Sequence, residues 1–390
     1  MHRALVDPVL ADLEHKMVFV SGPRQVGKTT LAFAVLGRFP EADRVYLNWD
    51  RADHRKLIRD LAWSRAAPVA VLDEVHKYAR WKTLLKGFHD TQGHRQRLLV
   101  TGSARLDLYR RGGDSLVGRY AGLRLHPLSL GELARQGQPP STPVLLDPSA
   151  WVGQPPALSP SDEQALRTLG GFPEPYLGGS ERRARRWRLA RREQILREDL
   201  RDLSMVREIS LVEQLADLLV ARVASPLSIN SLREDLEVDH KTVSCWIEIL
   251  ERLFVVFRVH PYAAARGRIL RKAAKLYFWD WSEVPDAGAR FENLIASHLL
   301  KYVHWLHDVE GHRVDLRYVR DREKREVDFL LVRDGKPWVL IEAKLGEQAA
   351  TPSLAYFRAK LKVPFAFQVT GSGQALKDVI PAARLLSGLP

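Results

Sequence analysis

The sequence contains one cysteine, Cys245, in 390 residues. That excludes an internal disulfide and a thiolate cluster for zinc. Long apolar runs are missing too: stretches such as Ala67–Leu72 and Leu253–Phe257 fall far short of the roughly 20 residues that cross a bilayer. The opening MHRALVDPVLADLEH carries acids early and has no apolar signal core, which predicts a cytoplasmic chain with no membrane partner. Acids are the scarcer charge, 47 against 60 Lys+Arg, leaving a net +13. Such an excess suits a polyanion binder, although GC-rich coding would also raise arginine, which supplies 44 of the 60 cations. Composition is otherwise that of a globular protein, with 45% apolar and 27% charged residues, and excludes a disordered or collagen-like chain. The length exceeds one core and predicts two or three domains.

Composition divides the chain. Residues 1–135 alternate short apolar strands (Met17–Val20, Arg44–Leu47, Val69–Leu72, Arg97–Val100) with helical stretches, the pattern of a parallel α/β domain. Residues 136–163 hold seven prolines and no Lys or Arg, a linker or insert by composition. An Arg-rich helical segment follows over 164–206. Its stretch Glu181–Asp202 carries nine arginines among five acids and reads equally as a solvated helix with Glu/Arg pairs or as a DNA contact. Over 207–280, helices at Ile229–Leu236 and His240–Leu253, split by Glu237–Asp239, lead into a strand at Phe254–Val259. This is the outline of a winged helix. His240, Lys241 and Ser244 fall near the start of its recognition helix. The basic residues Arg266, Arg268, Arg271, Lys272 and Lys275 follow and could track phosphates. Winged helices also serve as protein-binding modules. Residues 281–390 end in a strand pair, Val327–Val332 and Trp338–Ala343.

The sharpest motif is Gly22, Pro23, Arg24, Gln25, Val26, Gly27, Lys28, Thr29 and Thr30, set between the apolar strand Met17–Val20 and the helical run Leu31–Leu36. This is GxxxxGK[ST] in its strand–loop–helix setting. Glycines let backbone amides curl around phosphates, and the helix N-terminus adds its positive end. Lys28 is placed to reach the β- and γ-phosphates of ATP, and Thr29 to ligate Mg²⁺. A second strand, Val69–Leu72, ends in Asp73 and Glu74. The aspartate suits Mg²⁺ and the glutamate suits activation of the attacking water. A third strand runs into Thr101-Gly102-Ser103, bringing a hydroxyl, that of Ser103, close to the γ-phosphate. Arg119 is a candidate arginine finger, read equally as an arginine pairing inside its own domain. A finger given in trans predicts a homo-oligomer, such as a hexameric ring, or a filament.

These residues carry a resemblance. GPRQVGKTT, VLDEVHKY, LLVTGSARLDL and DSLVGRYAGLRLHPLSLGEL resemble the bacterial and archaeal AAA-type P-loop ATPases fused to a C-terminal domain of unknown function. GGFPEPYL at Gly170–Leu177 resembles that family's domain junction. FENLIASHLL and REVDFLLVRDGKPWVLIEAKLG resemble its C-terminal domain. The resemblance runs from about Val18 to Gly346. It implies an N-terminal AAA-type ATPase domain, a central winged helix and a C-terminal α/β domain similar to PD-(D/E)xK nucleases.

In that last domain, Asp328 lies on one strand and Glu342-Ala-Lys344 ends the next. A metal-dependent nuclease needs carboxylates such as Asp328 and Glu342 for Mg²⁺, and a lysine such as Lys344 to orient hydroxide. Whether Asp328 and Glu342 meet depends on register. A two-residue turn at Asp334-Gly335 pairs 328 with 341, whereas an odd-length loop pairs 328 with 342. The second register makes Val327, Phe329, Leu331, Val339, Ile341 and Ala343 one apolar face, so burial selects it. Glu292 resembles the extra helix acid of such nucleases, a third metal partner. His298, His304, His307 and His312 do not converge on one helix face and read as surface histidines. The expected function is ATP-dependent processing or remodelling of DNA with Mg²⁺, with endonuclease activity open. The alternatives are a non-cleaving motor acting on branched DNA and a nucleotide-switched regulator that binds a protein.

Overall fold

The computed structural model describes residues 2–102, 116–153, 158–200, 208–263, 273–346, 349–373, 375–376 and 378–390. Contacts divide the chain into two compact units. The first is Met1–His126 with Gln136–Gln138 and Arg252–Phe254; the second is Pro127–Arg135, Pro139–Glu251 and Val255–Pro390. Among the described residues no helix is long and apolar enough to cross a membrane.

The first unit is built on a five-stranded sheet of β1 (Met17–Ser21), β2 (Arg44–Asn48), β3 (Val69–Asp73), β4 (Arg97–Gly102) and β5 (Tyr120–Arg124), in the order β2-β3-β4-β1-β5. Every pairing is parallel. β1 and β3 are buried throughout, as strands covered on both faces must be, hence their unbroken apolar runs. Helices α1 (Val6–Leu13), α2 (Lys28–Leu36), α3 (Ala52–Arg59) and α4 (Trp81–Gln92) complete the unit. Trp81, Leu85 and Phe88 of α4 pack with Phe19, Leu72, Leu98 and Val100 of the sheet. The four strands expected from composition are present, and β5 adds a fifth. β4 sits between β1 and β3, and its Thr101 is in register with Val20 on one side and Asp73 on the other. That strand order brings three separate loop ends together.

The second unit has a seven-stranded sheet of order β12-β11-β10-β9-β8-β6-β7. Its strands are β6 (Val256–Pro261), β7 (Lys275–Phe278), β8 (Val314–Arg320), β9 (Glu326–Arg333), β10 (Lys336–Lys344), β11 (Phe365–Thr370) and β12 (Val379–Pro381). Its labelled helices are α5 (Leu130–Ala134), α6 (Glu181–Gln194), α7 (Ile209–Val220), α8 (Ile229–Leu236), α9 (His240–Arg252), α10 (Ala287–Asp308), α11 (Pro352–Leu361) and α12 (Ala382–Ser387). Three helices, α7 to α9, thus precede the antiparallel pair β6–β7, and β6 pairs with β8 through His260↔Arg317. The sheet therefore runs on across the 280/281 boundary that composition suggests. In α6, Arg185–Glu181 is an exposed i,i+4 pair. Arg191 instead turns inward, 4.1 Å over the Phe172 ring and 3.5 Å from Glu283.

The hairpin β9–β10 corrects the expected loop while keeping the expected register. Its turn is the two-residue Asp334-Gly335, both at positive φ, closing Arg333↔Lys336. A bulge between Pro337 and Val339 then shifts the pairing to Leu330↔Leu340 and Ile341↔Phe329, which continues to 328 beside 342. One inserted residue does what an odd loop length would have done. A second irregularity, where Arg317↔Leu330 gives way to Val319↔Val327, brings Val327 into the core with Leu330, Leu340, Leu354 and Phe357. Val327 therefore leaves the face on which strict alternation places it.

Pro127–Arg135 lies in the second unit, although composition groups it with the first block. Gly131 packs so closely on the Leu389 carbonyl that a Cβ would overlap it, and Ser129 Oγ donates to Pro390 O at 2.8 Å. His298 of α10 is buried at 2% exposure, not on the surface as expected. Its Nε2 accepts from Leu130 N–H at 3.0 Å and its Nδ1 lies 2.8 Å from Leu294 O, which fixes a neutral tautomer. Burial, with some help from the Lys301 charge, pushes its pKa down to about 4 from 6.5. The folded pKa lies below the unfolded one, so the stabilisation is full above about pH 6.5 and is lost as pH falls toward 4. The loss amounts to about 3 kcal/mol. Glu292 and Glu283, raised by burial to about 7, act in the opposite sense. The urea midpoint of the second unit should therefore fall more between pH 7.5 and pH 4.5 in the wild type than in His298→Gln; equal falls would refute the assignment.

Candidate functional site

β1 delivers the chain into the loop Gly22–Gly27. A Cβ on Gly22 would stand 2.4 Å from the Leu125 carbonyl oxygen, so only glycine fits. Gly27 and Gln25 lie at φ 100 and 63, conformations that curl the loop toward the start of α2 at Lys28. Lys28 is 8% exposed, and its Nζ donates to Gly22 O at 2.9 Å and Pro23 O at 2.7 Å. The ammonium thus rests inside the loop it serves. Thr29 and Thr30 are exposed at the helix N-terminus, where amide ends favour an anion. Arg3 holds this loop from behind: it donates to Val26 O at 2.8 Å and to His126 O.

Asp73 is gripped on both oxygens. Oδ1 accepts from the Thr101 hydroxyl at 2.6 Å. Oδ2 accepts from Tyr46 Oη at 2.6 Å, and from Asn48 Nδ2 and Thr29 Oγ1, each at 3.3 Å. Four donors on one carboxylate fix its position and orientation. Burial, and then the Asp73 carboxylate, push the Tyr46 hydroxyl up to about 12. The Thr29–Asp73 contact joins the two residues expected to hold Mg²⁺, so a hydroxyl and a carboxylate oxygen converge as a hard cation requires.

Glu74 sits in the left-handed region at φ 57, a strain of order 1 kcal/mol for a residue with a side chain. Its Oε2 lies 3.5 Å from His76 Nε2 and 3.7 Å from Lys77 Nζ. Burial raises its pKa, against the pull of Lys28 and Lys77. Lys77 is shared with Asp50 at 2.7 Å. Arg119 pairs with Asp90 of its own unit, Nε to Oδ1 at 2.8 Å and Nη2 to Oδ2 at 3.2 Å. Ser103 lies outside the described residues, as do Arg266, Arg268, Arg271 and Lys272.

The second unit gathers a different set. Lys275, expected among the DNA contacts, is 1% exposed. Its Nζ lies 2.7 Å from Glu326, 2.9 Å from Asp328 and 3.0 Å from Glu292. The reason is strand position: β7 is buried throughout, and Lys275 pairs with Val259 in the sheet. Tyr277, two residues on, donates to Glu292 at 2.7 Å. Asp328 Oδ2 accepts from Ala343 N at 3.0 Å, which sets it beside the Glu342-Ala-Lys344 segment. Glu342 bonds Lys344 at 3.1 Å and accepts from Thr351, the cap of α11. Burial opposes the Lys344 charge, but Asp328, Glu342 and Glu292 outweigh it and raise its pKa. Among the described residues no group of three His, Cys, Asp or Glu is arranged to hold a metal ion. On α9, His240 and Lys241 are exposed, whereas Ser244 Oγ bonds back to His240 O at 2.9 Å.

Sequence reasoning did not find Tyr46, Asn48, Arg3, Tyr277 or Glu326. Tyr46 and Asn48 do share one face of β2 by alternation, and Asn48 is in register with Asp73, a signal that needs the strand order. Arg3 has no sequence signal at all.

Residues 14–134 match the family model described as an AAA domain. The N-terminal unit is an AAA-type P-loop domain. Behind the AAA domain, residues 163–284 and 287–383 match two models described as domains of unknown function, DUF8612 and DUF4143. An uncharacterized protein of Mycobacterium tuberculosis is 24% identical over 355 residues, covering 87% of this chain and 72% of the relative. Among solved structures, the Walker-type ATPase of Pyrococcus abyssi is similar with a TM-score of 0.45 and 16% identity, covering 73% of this chain and 94% of that one. The Aeropyrum pernix Orc1 protein in complex with DNA gives 0.32 and 17%, covering 76% and 91%. The Thermotoga maritima RuvB Holliday junction branch migration motor gives 0.30 and 17%, covering 65% and 88%. None of these scores reaches 0.5.

Proposed function

We propose that this protein hydrolyses ATP with Mg²⁺ and uses the cycle to act on DNA. The observation that carries the first half is the convergence of Thr29, Asp73 and Thr101 beneath the P-loop, with Glu74 next in the chain. Lys28 exchanges the Gly22 and Pro23 carbonyls for the β- and γ-phosphate oxygens. Thr29 and Asp73 are the residues that would hold Mg²⁺, and the bound ion supplies Lewis acidity to the phosphate oxygens. Glu74 takes the proton of the attacking water, a role suited to a carboxylate whose pKa burial has raised. Ser103, two residues after Thr101 in the sequence, senses the γ-phosphate. Arg119 would exchange Asp90 for the phosphate of a neighbouring subunit in a homo-oligomeric ring.

The DNA half rests on charge and on α7–α9 with β6–β7, which we read as a winged helix whose α9 presents His240 and Lys241. The net charge of +13 supports it, as do the arginines between β6 and β7. Residues 287–383 we read as a nuclease-like fold kept in a DNA-handling protein. The test is ATP turnover with supercoiled, linear and four-way-junction DNA at 50 and 200 mM salt, beside Lys28→Ala. DNA should stimulate turnover, Lys28→Ala should abolish it, and DNA affinity should fall tenfold or more with the added salt. Lys241→Ala should lower the salt slope by about one. DNA affinity that ignores salt, or turnover that ignores DNA, would point instead to a nucleotide switch with a protein partner.

A further inference from the structure

A nuclease-like reading of the C-terminal domain implies a divalent metal between Asp328, Glu342 and Glu292. The residues present do not fit one. Where three carboxylates approach one another, the structure holds the Lys275 ammonium, within 3.0 Å of Glu292, Glu326 and Asp328. Two of the three acids have their second oxygen engaged as well: Glu326 bonds Arg320 at 3.0 Å and Asp328 accepts from the Ala343 amide, while Tyr277 donates to the same Glu292 Oε1 that Lys275 bonds. Glu342 is taken by Lys344 and Thr351. Cations from Lys275, Arg320 and Lys344 already answer these acids, so a further +2 charge would enter a site whose field is nearly balanced.

Lys275 is also fixed in place. Its backbone lies in β7 between Ala274, whose carbonyl accepts from Leu227 N at 2.8 Å, and Leu276, whose carbonyl accepts from Ala224 N at 3.2 Å. Tyr318 closes the site, its ring centroid 5.7 Å from the ammonium and its hydroxyl bonded to Ala273 O. At 1% exposure the side chain has no solvated alternative without opening the sheet edge. A metal would have to displace a buried ammonium that makes three ion pairs, and removing one partner from such a set is strongly unfavourable.

We propose that Lys275 is the resident cation of this cluster, standing where a nuclease would hold a divalent metal, so that the second unit takes no metal there and leaves phosphodiester bonds intact. This rests on the nuclease-like reading above and settles which activity that fold retains. It makes Asp328, Glu292 and Glu326 ligands of a lysine, and it assigns the domain to gripping rather than cutting.

The test is Mn²⁺ titration by calorimetry on the nucleotide-free full chain, as wild type, Asp328→Asn, Lys275→Ala and the double variant, with plasmid integrity read in Mg²⁺ and Mn²⁺. The wild type and Asp328→Asn should give the same heats, and wild-type plasmid should remain intact. Lys275→Ala should gain a site at least tenfold tighter than any in the wild type, and the double variant should lose it. Wild-type Mn²⁺ binding or nicking that disappears in Asp328→Asn overturns the proposal. So does a folded Lys275→Ala that binds no more Mn²⁺ than the wild type. If Lys275→Ala does not fold, Lys275→Gln replaces it, and the wild type against Asp328→Asn still decides. DNA-stimulated ATP turnover, measured on the same wild-type preparation, reports separately on the broader reading.

Discussion

Glu74→Gln should lower ATP turnover about 10²–10⁴-fold, the range for loss of a positioned general base, while ATP binding stays within a few-fold of the wild type. The amide keeps the shape and the left-handed backbone of the residue but cannot accept a proton. Lys28→Ala should behave differently and lose nucleotide affinity as well, since Lys28 is the residue we propose reaches the phosphates themselves. The pair of variants therefore separates binding from chemistry. A pH profile adds a second reading. Burial raises the Glu74 pKa, and the base works only when deprotonated, so turnover should fall on the acid side at a pH above that of an ordinary glutamate. Glu74→Gln should lack that limb. Turnover within tenfold of the wild type, or an unchanged acid limb, would remove Glu74 from the base role and leave Asp73 with the water. Binding by a fluorescent ATP analogue and single-turnover hydrolysis are the two measurements needed.

The candidate nucleotide site was legible because its residues lie close together in the sequence. Gly22 to Thr30 is one turn of chain between a strand and a helix, and Asp73-Glu74 follows directly on a buried strand. Tyr46 and Asn48 were not legible: they act on Asp73 only because β2 neighbours β3, and adjacency of strands is not written in either strand alone. Arg3 reaches Val26 across 23 residues by tertiary packing. Arg119 was open between two readings, and its Asp90 partner lies 29 residues away in sequence.

In the second unit, the Asp328–Glu342 neighbourhood followed from a burial argument that holds whichever device enforces it. The turn residues Asp334-Gly335 are a strong two-residue hairpin signal. Burial of the flanking strands overrules the register that signal alone would give, and the bulge at Trp338 reconciles the two. Lys275 was misplaced for a simpler reason. It closes a basic run and was counted with its neighbours, yet the following Leu-Tyr-Phe marks a buried strand, and a lysine at its head points where that strand's alternation sends it. Charge counting registers how many cations there are, not which way they face. His298 was read as a surface residue because its spacing to other histidines is uninformative. Its partner, the Leu130 amide, lies 168 residues earlier.

Lys301→Met should destabilise the second unit by about 3 kcal/mol. Lys301 Nζ lies 2.8 Å from both Glu132 Oε2 and Ser129 Oγ, and both charged side chains are nearly inaccessible, at 9% and 2%. Removing one member of a buried pair strands the other charge, at about 3–5 kcal/mol. The lower end applies here because the Arg135 charge also interacts favourably with Glu132 and remains when Lys301 leaves. Glu132→Leu with Lys301→Met should recover most of the loss, since a buried pair replaced by apolar groups of similar volume is nearly neutral. Urea midpoints of the single and double variants, with the ATP site left untouched, measure this directly. The pair also ties the SLGEL segment to α10, because Ser129 caps α5 through the Glu132 amide at 3.2 Å while receiving the lysine. Lys301→Met should therefore expose Leu130–Ala134 to hydrogen exchange before the sheet opens. Uniform exchange across the whole second unit would show that the pair supports the domain generally rather than docking this segment.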